Sequence, residues 1–288
     1  MPVGSFPSVR VHIASYNTVH ATELCVRSAR LTERAPFQLL VGDGGSSDDT
    51  IRMLSALSAR YGVEVEHGGR RSHADWLDRW TSARDVDYLV FVDSDVEFRR
   101  PGWLSEMVEV AQSTGAALVA AELLPEVPGY VEPLLDNLRM RVMPRPSPWL
   151  LLLDARQMDS LGAVSFHGLH QPDRSAEEGH RFWDVGGAVM REVTRQGLTW
   201  TIMPATFRRS YHHYGNVTWA DASKGGTVLA RRRDAAIRRR LAATRALDSG
   251  SRWARESGRW RLDPRLESAR TLIARARGRA SRSIARAR

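Results

Sequence analysis

Cysteine is nearly absent: the chain of 288 residues has one, Cys25, which excludes an internal disulfide framework. The residues around it have helical spacing, so it reads as a buried structural thiol. No apolar stretch comes near the roughly 20 residues needed to cross a bilayer. The most apolar run, Trp149-Leu150-Leu151-Leu152-Leu153, is far too short. The first nine residues lack a basic segment followed by an apolar one, so no signal peptide is expected, and the cytoplasm is the default location. Acidic residues are scarce at one end only. The net charge is +9, yet residues 224–288 hold 20 Lys/Arg against 5 Asp/Glu, which leaves residues 1–223 mildly acidic. The basic character therefore belongs to a tail and not to the body that would hold an active site. The length suffices for one large domain or two small ones.

What is present is an alternation of strands and helices. Val9 to Ala14 alternates and ends in the turn Ser15-Tyr16-Asn17, and residues 21–31 have helical spacing. Phe37 to Val41 reads as a second strand. It runs into a turn rich in Gly, Ser and Asp from Gly42 to Thr50, where Ser47 or Asp48 can cap the helix that follows to Tyr61. A short strand at residues 63–65, a helix at 73–83, a strand at 88–92, a helix at 104–113 and a strand at 116–121 follow. This order predicts an α/β fold with a Rossmann-like, mainly parallel sheet and helices on both faces. Residues 122–180 are broken up by prolines, and helical character returns from Trp183 to Gly197.

The strand Tyr88-Leu89-Val90-Phe91-Val92 ends in Asp93-Ser94-Asp95. Two carboxylates one residue apart at the end of a buried strand are costly to desolvate unless something positive meets them. A divalent cation shared with a diphosphate is one such partner; a solvated strand end is the plainer one. In doubly wound sheets ligands bind beyond the carboxyl ends of the strands. Three polar turns, Ser15 to Asn17, Asp43 to Asp49 and Asp93 to Asp95, should therefore gather at one rim, which argues for a nucleotide site.

The chain resembles the family 2 glycosyltransferases, which have the GT-A fold. The resemblance covers roughly residues 9–216. It is carried by Ala14-Ser15-Tyr16-Asn17, by Asp43-Gly44-Gly45-Ser46-Ser47-Asp48-Asp49-Thr50 and by Asp93-Ser94-Asp95, in that order. It implies a nucleoside diphosphate sugar donor, a Mg²⁺ or Mn²⁺ ion and inversion at the anomeric carbon. Carried over position by position, it implies that Ala14, Ser15, Asn17, Asp43, Gly45, Asp75, Asp93 and Ser94 contact the nucleotide sugar. Asp43 would accept from a base N–H, as uracil, thymine or guanine offers, and Asp95 would ligate the metal. A late histidine of the family corresponds to His212 or His213, with His212 preferred. Asp184 holds the place of the general base that deprotonates the acceptor hydroxyl. Trp183 stands where the family usually has Glu, and a cap at a helix start is the alternative role for Asp184. Arg156, Trp183 and Trp149 fall where an acceptor would bind, and indole faces stack well on sugar C–H faces.

The resemblance divides the chain into residues 1–222 and 223–288. The first is a GT-A domain, with its nucleotide-sugar half at 9–121 and its acceptor half at 122–222. The second is a basic helical C-terminal extension. The tail can pack on the body or lie on an anionic membrane surface near a lipid-linked acceptor. No RNA- or DNA-reading motif accompanies its charge, which argues against a nucleic-acid partner. The acceptor hydroxyl could belong to a lipid, a saccharide or a small metabolite. Two rival readings remain: a sugar-phosphate nucleotidyltransferase of related fold, and a non-catalytic nucleotide-sugar binder or scaffold recruited to membranes by its tail.

Overall fold

A computed structural model describes residues 6–47, 49–82, 85–125, 127–128, 140–162, 164–171, 180–215 and 228–249. The chain begins β1 (Val9–Ser15), α1 (Val19–Thr32), β2 (Gln38–Asp43), α2 (Thr50–Tyr61), β3 (Glu64–His67), α3 (His73–Thr81), β4 (Tyr88–Asp93) and β5 (Val96–Phe98). It continues with α4 (Trp103–Thr114), β6 (Leu118–Ala120), β7 (Leu123–Leu124), β8 (Val127–Pro128), β9 (Met140–Val142), β10 (Arg145–Pro146), β11 (Leu150–Asp154) and α5 (Ala155–Asp159). Then come β12 (Leu169–Gln171), β13 (His180–Trp183), α6 (Gly187–Arg195), β14 (Trp200–Ile202), β15 (Tyr211–His213) and α7 (Val228–Asp248). Residue clustering divides the chain into two compact units, Met1–Thr244 and Arg245–Arg288. The tail beyond residue 249, with its membrane reading, lies outside the described residues.

Seven strands form the central sheet in the order β14-β6-β11-β4-β1-β2-β3. All its pairings are parallel except the two made by β11, which runs antiparallel between β4 and β6. This is the expected α/β sheet. Side chains alternate between its faces. Val9, Val11, Ile13, Val90 and Val92 pack with α1, α2 and α4 on one face. Leu89, Phe91, Leu151 and Leu153 pack with α3, α5 and α6 on the other. Strands buried on both faces read as continuous apolar runs, as β4 and β11 do. The Trp149–Leu153 run is thus the core of a central strand. Among the helix starts, α3 has a full capping box, Ser72 with Asp75. Asp49 precedes α2 without a side-chain cap bond, and Asp48 lies outside the described residues.

His12 on β1 is 1% exposed, stacked on Trp80 at 4.7 Å and tilted against Phe91 at 5.6 Å. Neither ring nitrogen has a hydrogen-bond partner among the described residues. Burial, helped by the Arg10 charge, pushes its pKa down to about 3. Between that value and the ordinary His value near 6.5, the unfolded chain holds a proton that the folded chain does not, so stability falls as pH drops. At pH 5 the loss from this group is about 2 kcal/mol. Urea unfolding of the wild type and of His12→Phe at pH 7.5 and pH 5 checks it. The variant should gain on the wild type by about that amount at the lower pH, and an unchanged gap would remove His12 as the cause.

Candidate active site

The carboxyl ends of β2, β1 and β4 lie side by side, with Ser15 opposite Asp43 and Ala14 opposite Asp93 in the parallel registers. The acidic turns therefore share one rim of the sheet, as the sequence required. The loops after β1 and β2 are stitched together. The Asn17 N–H donates to Ser46 Oγ (2.9 Å), Ser47 N–H donates to Asn17 Oδ1 (2.8 Å) and Gly44 N–H donates to the Ser15 carbonyl (2.9 Å). Asn17 adopts φ +50°, the left-handed region that Asn tolerates better than most side chains. Asp43, 2% exposed, accepts from the N–H groups of Gly45 (3.3 Å) and Ser46 (3.2 Å). Two carboxylate oxygens offer about four acceptor sites, so lone pairs remain for a ligand donor. Gly45 itself sits at φ +84°. The Ser15 hydroxyl is buried and bonded to Thr22 (2.8 Å) and Thr18 (3.3 Å), and Thr18 reaches the Ser94 hydroxyl (3.1 Å). Ser15 therefore lines the interior of the turn, tying it to Ser94.

Beyond Asp93 the chain turns through Ser94 and Asp95 and returns as β5, which pairs antiparallel with β15. In that ladder His212 faces Glu97 and His213 faces Val96, and successive strand side chains point to opposite sides. His213 is the one that meets the carboxylates: its Nε2 is 3.2 Å from Asp95 Oδ1 and 3.8 Å from Asp93 Oδ2. The preference for His212 is thereby corrected; its ring packs edge-on against Tyr214 instead. Asp93, Asp95 and His213 each offer a ligand atom, all within 4.8 Å of one another. Two carboxylates and an imidazole are a fitting donor set for a divalent cation.

Neighbouring groups hold this cluster. Trp149 stacks on His213 with ring centroids 4.5 Å apart, and its carbonyl accepts the Asp93 N–H at 3.0 Å. His73 Nε2 lies 3.1 Å from Asp93 Oδ1. Burial alone would lower both imidazoles, but Asp93 beside His73, and Asp95 with Asp93 beside His213, outweigh it and raise both above the usual range. For Asp93 burial acts upward and is overcome by the charges of His73 and His213, which leave its carboxyl below the usual range.

Residues 10–136 match the sequence profile of glycosyl transferase family 2. This segment is similar to the family 2 glycosyltransferases. The O-antigen chain rhamnosyltransferase WbaN of Salmonella anatum is 31% identical over 94 residues, 31% of this chain and 28% of that protein. The chain thus matches under a third of that curated relative's length. The mannosyltransferase PcManGT of Pyrobaculum calidifontis, solved with GDP-Man and Mn²⁺, superposes with a TM-score of 0.49 at 15% identity, over 85% of this chain and 76% of that one. Residues 1–349 of S. aureus TarS superpose at 0.46 with 14% identity, over 90% and 77%.

Elsewhere in the chain the sequence-predicted residues take different places. Asp75, expected at the donor, is engaged in the α3 capping box. Its Oδ2 accepts from Ser72 N–H (2.8 Å) and Oγ (2.7 Å), and His167 lies 3.0 Å from Oδ1. His73, two positions earlier and about 200° away around the helix, reaches Asp93 instead. Arg156, expected near the acceptor, pairs with Asp87 at 2.7 Å. β11 runs antiparallel to β4, so the residues after it emerge beside Tyr88, at the opposite rim from Asp93; Arg156 does not belong to the site. Trp183 is 8% exposed with the Arg191 guanidinium 4.9 Å over its ring, so that face is covered. Asp184 is partly exposed, pairs with Arg145 at 2.8 Å and accepts the Val185 N–H at 2.8 Å. It is not the helix cap, because Gly186 precedes α6.

His73 and Arg145 were missed. The first had a signal, a histidine in the opening turn of the helix before the acidic strand. The second had none, an arginine among prolines.

Proposed function

We propose that the chain is a metal-dependent, inverting glycosyltransferase that moves a sugar from a nucleoside diphosphate to an acceptor hydroxyl. The observation that carries this reading is the meeting of Asp93, Asp95 and His213 on the rim where Asp43 ends the next strand but one. A cation bound there would neutralise the departing diphosphate. The imidazole in the ligand set favours Mn²⁺ over Mg²⁺, which prefers oxygen alone. Asp43 and the stitched loops would hold the base and ribose. Asp184 would take the proton from the acceptor hydroxyl as its oxygen bonds to the anomeric carbon and the bond to the diphosphate breaks. Arg145 would keep that carboxylate aimed. The relative named as a rhamnosyltransferase makes a deoxyhexose donor a natural first trial.

A thermal-shift screen of UDP-, dTDP- and GDP-sugars with Mn²⁺ tests the reading. A ligand at 100 times its Kd stabilises the native state by about 2.7 kcal/mol, enough to raise Tm by a few degrees. One nucleotide class should do so in the presence of Mn²⁺ and lose most of the effect with EDTA. Silence from every nucleotide sugar would remove the proposal.

The same reading has the enzyme working at the cytoplasmic face of a membrane, held there by the basic residues of 250–288. Sedimentation of the full chain with anionic vesicles at low salt checks this, and failure to sediment would remove it.

A further inference from the structure

Glu97 is a buried charge that the reaction does not use. It lies two residues after Asp95 on β5, and its side chain is 0% exposed. Its Oε2 accepts from the Tyr214 hydroxyl (2.9 Å) and Arg99 Nε (3.1 Å), and its Oε1 accepts from Arg240 Nε at 2.6 Å. Arg240 comes from α7, 143 residues further along the chain. A buried carboxylate is costly unless matched in charge and hydrogen bonding. Such pairs are best attested where they fix one arrangement among several.

The connections from this pair lead to the metal-binding cluster. Tyr214, which donates its hydroxyl to Glu97, also donates its N–H to the Asp95 carbonyl at 3.1 Å. It directly follows His213. Two further attachments bring α7 to the same place. Ile237 and Leu241 are buried against Tyr214, Ala21 and Leu24, and Arg233 donates to the Gly215 carbonyl at 2.7 Å. The two-stranded β5–β15 ladder, with only three residues per strand, is too short to hold itself in place.

We propose that Arg240 is a positioning residue for the metal site: through Glu97 and Tyr214 it holds Asp95 and His213 at ligand spacing. Part of the basic C-terminal region is thereby assigned to the site itself and not to a surface. The inference rests on the metal reading above.

The test is Mn²⁺ binding by the full-length chain, read from the electron paramagnetic resonance signal of free Mn²⁺, without substrate. Arg240→Met keeps the apolar stem and removes the charge. It should weaken Mn²⁺ binding about tenfold, as loss of a partner that orients a metal ligand typically does. Arg240→Lys should restore most of the affinity. Ile237→Ala loosens the packing of α7 on Tyr214 without touching Glu97 and should cost clearly less than Arg240→Met, and Arg238→Ala, which removes an exposed arginine, should leave Mn²⁺ binding near wild type. If Arg240→Met does not fold, the double variant Glu97→Gln/Arg240→Met, which removes the buried carboxylate charge together with the lost guanidinium, should fold and still bind Mn²⁺ weakly. Wild-type affinity in Arg240→Met overturns the proposal while leaving the metal reading intact. So does a loss in Ile237→Ala equal to that in Arg240→Met, since that is mere support of the fold. A wild-type chain that binds no Mn²⁺ overturns both.

Discussion

Asp95→Ala is expected to lower turnover by about two to three orders of magnitude, the scale on which removal of one electrostatic stabiliser of a transition state is felt. Asp95 is 8% exposed and lies closest to His213 of the two carboxylates. On the proposed metal reading its removal would take a ligand from the cation, and it strips His213 of its nearest negative partner. The imidazole, held above its usual pKa mainly by Asp95 once burial is overcome, should return toward or below the ordinary range. The change is local, because the Asp95 carbonyl, which accepts from Tyr214, survives the substitution. Release of nucleoside diphosphate at saturating donor across a Mn²⁺ titration measures the effect. A variant that regains wild-type turnover at high Mn²⁺ has only weakened the metal; one that never does has lost the arrangement. Turnover within tenfold of wild type at every Mn²⁺ concentration would show that the carboxylate is not a ligand.

Asp184→Ala should cost about 10²- to 10⁴-fold in kcat, the range of a lost general base, with donor binding unchanged. The carboxylate is well placed for that work in one respect. It is partly exposed, and Arg145 at 2.8 Å and the Val185 N–H at 2.8 Å fix its direction without closing it off. Asp184→Asn keeps those shapes and removes the basicity, so it should be nearly as slow as Asp184→Ala. Arg145→Ala should lose less, since it removes the aim and not the base. The informative comparison is transfer against hydrolysis of the donor in the absence of acceptor. Loss of the base should suppress transfer more than hydrolysis. If Asp184→Asn transfers sugar at a normal rate, another group takes the proton.

The acidic strand end and the three converging turns were legible because each depends on local pattern. The β-branched run into Asp93 marks a buried strand, and strand–helix alternation forces parallel strands whose carboxyl ends share a rim. Where long-range pairing decides, sequence reasoning stopped short. The leucines of β11 carry no period, so they fit a buried strand or a buried helix segment alike and say nothing of direction. Yet that direction is what sends Arg156 to the far rim and brings Trp149 to the near one. The choice between His212 and His213 turns on the phase of a three-residue strand, set by its ladder with β5. Asp75 was misread for a different reason. Ser72-Ala74-Asp75 spacing is a capping signature in its own right, and an aspartate already bonded twice to its helix start is poorly free to serve a ligand.

The reversed strand of the central sheet also bears on which parts of the chain reach the acidic rim. A parallel strand delivers its end to the working rim, whereas β11 delivers its beginning. Trp149, just before it, therefore stands beside the carboxylates although it comes about fifty residues after them in the chain. Substitution at this one position would therefore alter the surroundings of Asp93 and His213 while the turn that carries both carboxylates keeps its own sequence.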